Sequence, residues 1–271
     1  MHKVRLAILD MYDTTPNQGM RCIHEIVNSF TDRVEYEVFD VRTKAEVPGL
    51  DFDLYISTGG PGDPRVGDGH WDVKYYEWIQ SVWDWNQHQP NKKYVFFICH
   101  SFQMAIHHFQ LAEINERQSM SFGTFPVHLT EEGTQEPVFQ GLYDPFWAAD
   151  FRSYQAVQPN VERLTALSAE VLALEKIRPH IPLERALMAI RFSPEMIGVQ
   201  FHPEADPDGM LEHFAHPNRK EAIIMEHSKD KYDQMMADLR DPARITHTHN
   251  LILPQFIEQS IEAILGAEVV I

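Results

Sequence analysis

The sequence predicts an α/β domain in three layers, a mostly parallel central sheet between helices, with a helical extension toward its C-terminal end. Three observations carry this. Short apolar strands alternate with amphipathic helices through the first four predicted strands, a pattern that buries a parallel sheet on both faces. A length of 271 residues suits one generous α/β core, so a single domain over 1–271 is expected. From Ala205 onward the texture changes to charged helical segments, which places a helical insertion or extension at about 205–250 and a final helix at about 253–265.

Val4 to Leu9 reads as the first strand, ending at Asp10, and a loop to Pro16 leads into a helix over about Gln18 to Phe30, with Met20, Ile23, Ile26 and Val27 at helical spacing. Val34 to Val41 alternates as a second strand. The third, Asp53 to Ser57, runs into Thr58-Gly59-Gly60-Pro61-Gly62, whose glycines and proline must break it. A helix over about Asp72 to His88 carries Tyr76, Ile79 and Trp83, and then comes the apolar strand Val95 to Ile98. Segments 121–129 and 146–157 look like short β segments, and Leu187 to Arg191 with Ile197 to Phe201 flank the turn Ser193-Pro194-Glu195 as a hairpin. Asp208 to Phe214 is expected to be a short helix and Arg219 to Leu239 one charged helix, while Asp241 to Asn250 has no periodicity.

Composition narrows the function classes. A formal net charge of −17, from 40 acidic and 23 basic residues, repels polyanions and argues against nucleic acid or an anionic membrane as partner. No apolar stretch approaches the length of a membrane span. The opening residues, Met1 to Asp10, have too short an apolar core for a signal peptide, so a cytoplasmic location is expected. The two cysteines, Cys22 and Cys99, are far apart and form no CxxC pair, which argues against a disulfide framework or a structural zinc. His107-His108, His213 with His216, and His247 with His249 lack acidic or cysteine partners at ligand spacing, so no metal and no other cofactor is expected. Cys22 reads as core within the first helix.

The chemistry gathers at strand ends. In a parallel sheet reactive groups collect at the carboxyl ends of the strands, where both the Gly59-Gly60 loop and Cys99 fall. A cysteine where a buried strand turns sharply into a helix projects its sulfur from a nucleophile elbow, and the helix's positive end favours the thiolate. Taken alone, Cys99 reads better as a small buried hydrophobe. A thiolate nucleophile also needs a base, something to orient that base, and donors for an oxyanion. His202 at a strand end is the candidate base; Glu204, two residues on, points to the same side if the chain stays extended, and Pro203 stiffens that geometry. The glycine turn offers an unobstructed backbone N–H, best from Gly60, and His100 offers the second. A His-Pro-Glu tripeptide or a Gly-Gly-Pro-Gly loop alone is usually a surface turn. Their order, loop then cysteine then histidine and glutamate, each at a predicted strand end, is much harder to dismiss.

In these stretches the sequence resembles the class I glutamine amidotransferases, whose pattern is a Gly-Gly-Pro-Gly loop, a Gly-x-Cys-x-Gly-x-Gln elbow and a late His-x-Glu. The resemblance covers about residues 4–204 and implies a flavodoxin-like core. It implies Cys99, His202 and Glu204 as a catalytic triad, Gly60 and His100 as the oxyanion hole, and Gly59 and Gln103 as substrate-binding residues. Arg152-Ser153-Tyr154-Gln155 lies where the family contacts the α-amino and carboxylate groups of glutamine, which implies Ser153 and Tyr154 as further substrate contacts although the residue types depart from the usual Ser-His. The elbow departs too: Phe97 and Ser101 stand where the family has glycines, so Phe97 is expected to turn away from the strand–helix crossing or the elbow to open slightly. His100 directly follows Cys99, a position from which related intracellular cysteine peptidases take their histidine; the His202-Glu204 pair makes that unnecessary.

The implied reaction is hydrolysis of the side-chain amide of glutamine, or of a γ-glutamyl amide, through a cysteine thioester. No synthetase domain fits into the chain. It then reads as a separate glutaminase subunit, similar to that of GMP synthesis, feeding a synthetase on another chain, or as a free-standing γ-glutamyl hydrolase. A non-catalytic binding or regulatory protein that keeps the fold is the reading from a different class. The amphipathic helix after Ala205 is expected to cover the domain, form a homodimer contact or shape the pocket mouth.

Overall fold

The computed structural model describes residues 3–14, 17–179 and 183–268. In chain order the elements are β1 (Val4–Asp10), α1 (Gln18–Asn28), β2 (Val34–Asp40), α2 (Val41–Lys44), β3 (Leu54–Ser57), α3 (Trp71–His88), β4 (Tyr94–Ile98), α4 (His100–Phe109), β5 (Glu113–Leu129), α5 (Glu131–Gln135), β6 (Phe146–Val157), α6 (Val161–Leu167), β7 (Glu170–Glu175), β8 (Leu187–Ser193), β9 (Met196–Val199), α7 (Pro207–Ala215), α8 (Pro217–Glu226), α9 (Lys229–Arg240) and α10 (Ile245–Glu268). All nine strands form one sheet in the order β2-β1-β3-β4-β9-β8-β7-β5-β6. The run from β2 to β9 is parallel, so its strands all end on one edge of the sheet. From β9 to β6 the pairing is antiparallel.

The parallel half is the predicted three-layer core. β3 is buried at every residue, as expected for a strand covered on both faces. On one face Ile23, Ile26 and Val27 of α1 and Phe256, Ile257 and Ile261 of α10 pack on Leu6, Ile8, Ile56, Phe96 and Ile98. On the other, Trp78, Ile79 and Val82 of α3 and Phe102 and Ile106 of α4 pack on Leu9, Tyr55, Val95 and Phe97. Alternate residues of β4 therefore serve opposite cores, which is the two-residue period of a strand.

Two features of topology position the site. The hairpin around Ser193-Pro194-Glu195 inserts β9 beside β4, with Ile98 opposite Val199, so the residues after β9 emerge next to Cys99. The antiparallel half then curls until the far edge strand β6 meets the chain leaving β9: Ala149 bridges His202, whose N–H donates to the Ala149 carbonyl at 2.9 Å.

The C-terminal region corrects the sequence reading. The expected single helix from Arg219 to Leu239 is two helices, because Ser228 caps a new start, its hydroxyl accepting from the Lys231 N–H. The segment 241–250, which has no apolar periodicity, is in part helical: α10 begins at Ile245, ahead of the expected start at Leu253, and Pro254 sits inside it. Its first turns are polar for tertiary reasons. Thr248 donates to the Trp147 carbonyl at 2.6 Å, and ring nitrogens of His247 and His249 lie 2.9 and 3.0 Å from the carbonyls of Gly141 and Glu204. The two β segments expected to be short are long strands of 17 and 12 residues.

Helices α7, α8 and α9 build a third apolar cluster on the outer face of β5 and β6, where Phe214, Ile223, Tyr232, Met235 and Leu239 pack with Phe122 and Phe151. Phe151 carries this cluster to the site, its ring centroid 6.1 Å from that of His202. Of the roles expected for this segment, covering the domain is the one this packing matches.

Candidate active site

Cys99 follows β4 directly and caps α4 with φ 49° and ψ −98°, a conformation that residues with a Cβ rarely adopt. It is pinned from both sides. Its N–H donates to Val199 in the β9 register at 2.8 Å, and its carbonyl accepts from the Gln103 N–H at 3.1 Å in the first turn of α4. Ser101, in place of a glycine, fastens the turn: its hydroxyl accepts from the Ile98 N–H at 3.0 Å and lies 2.7 Å from the Ser57 carbonyl at the end of β3.

Phe97 does not leave the side of the sheet that α4 covers. It stays in the aromatic layer under α3 and α4, edge-on to Trp78 and to Phe192. The room comes from the neighbouring strand, where Gly198 stands opposite Phe97. A Cβ on Gly198 would lie 2.8 Å from Phe102, 3.0 Å from Phe97 and 3.1 Å from Phe192. The missing elbow glycine is thus compensated on β9. Gly198→Ala is expected to lower unfolding stability by about 1–3 kcal/mol, because three packed aromatic residues cannot all retreat. A denaturant midpoint equal to that of the parent would refute this compensation.

The chain leaving β9 supplies the second part. Nδ1 of His202 lies 2.8 Å from Oε1 of Glu204, and Glu204 is buried. Burial alone would lower the His202 pKa, but the Glu204 carboxylate and the adjacent Cys99 sulfur outweigh it and hold the pKa well above the ordinary histidine value. Oε2 of Glu204 is buried without a hydrogen-bond partner among the described residues. Its backbone carbonyl is held by His249 of α10.

The glycine loop closes over this pair. A Cβ on Gly59 would lie 2.8 Å from Cε1 of His202, 3.0 Å from the Tyr12 hydroxyl and 3.6 Å from the Cys99 Cβ, so only glycine fits there. At Gly60 a Cβ would strike the Met11 carbonyl at 2.4 Å. The loop is pressed against the turn after β1, and Arg42 fastens its other side by donating to the Pro61 carbonyl at 2.7 Å. His100 is the first residue of α4, so its N–H has no preceding turn to bond to. Its imidazole is buried near Arg42 and Asp63, and burial foremost pushes its pKa down to about 3.

Gln103 is buried and points inward, donating to the Tyr154 carbonyl at 2.9 Å and to Oε1 of Gln200 at 2.8 Å. Nε2 of Gln200 lies 3.7 Å from the Cys99 sulfur. Tyr154 is half-buried, with Arg65 over its ring at 5.3 Å. Ser153 is exposed on the same strand.

Two residues at the site escape sequence reasoning. Gln200 stands two places before His202 and meets Cys99 only through the β4–β9 register. Tyr12 lies in the loop after β1, where no periodicity marks it. A Cβ on Gly19 would come within 2.6 Å of its hydroxyl and 3.2 Å of the Glu204 Oε1, so the phenol is wedged between two glycines beside the candidate triad. Burial first, then the Glu204 and Cys99 charges, raise its pKa well above the ordinary tyrosine value, keeping it a neutral donor.

The model of the glutamine amidotransferase class-I family matches residues 8–217 of this chain. The chain belongs to that family. It shares the fold of a glutamine amidotransferase from Thermotoga maritima, with a TM-score of 0.69 and 13% identity over 97% of this chain and 100% of that one. A glutamine amido transferase from Methylobacillus flagellatus gives 0.64 and 13% over 98% and 94%. A putative GMP synthase subunit from Thermoplasma acidophilum gives 0.59 and 13% over 100% and 98%. No curated protein sequence matches. Family membership places this amidotransferase among cysteine-based enzymes of glutamine amide hydrolysis and transfer in general. The matched region stops at the first residue of α8, so the rest of α8 and all of α9 and α10 lie beyond it. Among the described residues no group of histidine, cysteine and carboxylate side chains is arranged to hold a metal ion, and no helix is long and apolar enough to cross a membrane.

Proposed function

We propose that this amidotransferase hydrolyses the side-chain amide of glutamine, or a γ-glutamyl amide, with Cys99, His202 and Glu204 as its triad. The observation that carries the reading is a cysteine held at φ 49° beside a buried histidine–glutamate pair, under a loop that only glycine can form. The Cys99 sulfur attacks the amide carbon, and the oxyanion is held by the N–H groups of Gly60 and His100. His202 gives its proton to the nitrogen as the C–N bond breaks, releasing ammonia or an amine and leaving a γ-glutamyl thioester. Water then attacks the thioester, His202 takes the proton back, and glutamate leaves. Gly59, Ser153 and Tyr154 are the proposed substrate contacts, and Gln103 is proposed to help bind the substrate by holding Gln200 and the Tyr154 carbonyl.

Residues 1–271 are proposed to work as one cytoplasmic glutaminase unit that hands ammonia to a synthetase on another chain. The test is ammonia release from glutamine measured beside glutamate release from γ-glutamyl amides and peptides. Glutamine turnover supports the reading. Turnover of γ-glutamyl compounds alone reassigns the chain to a free-standing hydrolase, and turnover of neither, with candidate synthetases added, to a binding protein.

A further inference from the structure

Positive charge collects at one place on a chain whose formal net charge is −17. Arg117 on β5, Arg152 on β6, Lys176 and Arg178 just past β7, and Lys231 on α9 form one electrostatic cluster around Glu175 and Asp150. Both carboxylates are already taken. Glu175 pairs with Arg117 at 3.2 Å, Arg152 at 3.3 Å and Arg178 at 2.8 Å, and Asp150 pairs with Arg152 at 3.0 Å and accepts from the Ser121 hydroxyl at 2.7 Å. Asp238, the next carboxylate toward Lys231, is bound by Arg244 and Thr124.

The two lysines are left over. Neither forms an ion pair among the described residues; instead their ammonium groups lie 3.7 Å and 4.2 Å from the centroid of the same ring, Phe125. Two like charges therefore stand no more than about 8 Å apart, partly shielded from water, with arginines beside them. Burial foremost, and then Lys231, lower the Lys176 pKa to about 8, as expected where positive charge lacks a counterion. Nearby, Arg185 donates through Nε to the Glu175 carbonyl, while its Nη2 is buried with no hydrogen-bond partner among the described residues.

We propose that Lys176, Lys231, Arg178 and Arg117 form a binding site for a small phosphate-bearing ligand, seated against Phe125. Five cations against two occupied carboxylates leave an excess of three positive charges, most of which a dianion offsets and a single carboxylate does not. Arginine forks and lysine ammoniums are together the usual partners of phosphate oxygens. The overall negative charge repels an extended polyanion, which favours a small ligand. The site adjoins the candidate active site through one shared atom. Arg152 Nη1 lies 3.3 Å from the Tyr154 carbonyl that Gln103 also holds. The inference concerns binding only and does not rest on the reaction proposed above.

Titration of the full chain with inorganic phosphate, followed by calorimetry and phosphorus NMR, is expected to show saturable one-to-one binding. Lys176→Met with Lys231→Met keeps the apolar stems on Phe125 and removes the charges; affinity is expected to fall about tenfold or more. Either single variant, weakened to a lesser degree, serves if the double variant does not fold. Lys44→Met, remote and exposed, is the control and is expected to bind as the parent does. Adenosine 5′-monophosphate, titrated in parallel, distinguishes the sources: binding at least as tight as phosphate assigns a phosphomonoester, and loss of binding assigns free phosphate. Absence of saturable phosphate binding, undiminished binding by the lysine variants, or equal weakening by Lys44→Met would overturn the proposal and leave an ion-pair network.

Discussion

Cys99→Ala is expected to lower glutamine hydrolysis by about 10⁵-fold or more, into the background, because removing a covalent nucleophile leaves only binding and oxyanion stabilisation. A covalent adduct with a glutamine-analogue electrophile should vanish with it. The same position makes a second, sharper prediction. Alanine usually exceeds glycine in stability by about 0.5–1 kcal/mol through chain entropy. At φ 49° and ψ −98° a Cβ is strained, at a cost of about 1–3 kcal/mol. Cys99→Gly should therefore be the more stable of the two variants, by about 1 kcal/mol, although both are inactive. Strain held at a reactive residue while a more stable choice exists is what a nucleophile elbow requires and a buried structural cysteine does not. Full glutaminase activity in Cys99→Ala would end the mechanism. The ordinary alanine-over-glycine order would end the strain argument while leaving the chemistry intact.

The parallel half of the fold is legible because β3 and β4 are covered on both faces and so appear as apolar runs, and β1 is broken only by Arg5 near its start. The convergence of Cys99 with His202 and Glu204, about a hundred residues apart, is legible from one rule, that reactive groups gather at the carboxyl ends of parallel strands. What stays hidden depends on pairing. That Gly198 makes room for Phe97, and that Gln200 reaches the Cys99 sulfur, follow from the register of β4 with β9, which no local pattern states. The break at Ser228 is hidden because the apolar spacing from Ile223 to Met236 continues across it, and only a one-residue cap marks the new helix. The start of α10 is hidden for the converse reason: its first turns are spent on polar contacts to Gly141, Trp147 and Glu204, so hydropathy shows no face.

The second large effect concerns Glu204. In the proposed mechanism His202 must carry a proton when the amide nitrogen departs, so the alkaline limb of kcat follows the His202 pKa in the complex. Burial works against that proton, and the Glu204 carboxylate, 2.8 Å from Nδ1, is the foremost group opposing burial, with the Cys99 sulfur next. The pKa stands well above the ordinary histidine value of 6.5, so the rate should hold through neutral pH and fall only when pH rises past the raised value. Glu204→Gln keeps the shape and an oxygen facing Nδ1 but removes the charge. Burial then prevails over what remains, the His202 pKa drops, and the alkaline limb should move to lower pH by more than about one unit. At slightly alkaline pH the loss in kcat should reach about 10²–10⁴-fold and shrink as pH is lowered, since protonation of His202 is then restored by the solution. A variant in which Glu204 only held the loop in place would instead lose activity by the same factor at every pH. An alkaline limb in Glu204→Gln at the parent's position would show that a group other than His202 sets it, and would remove the glutamate from the electrostatic role its burial and its distance to His202 assign it.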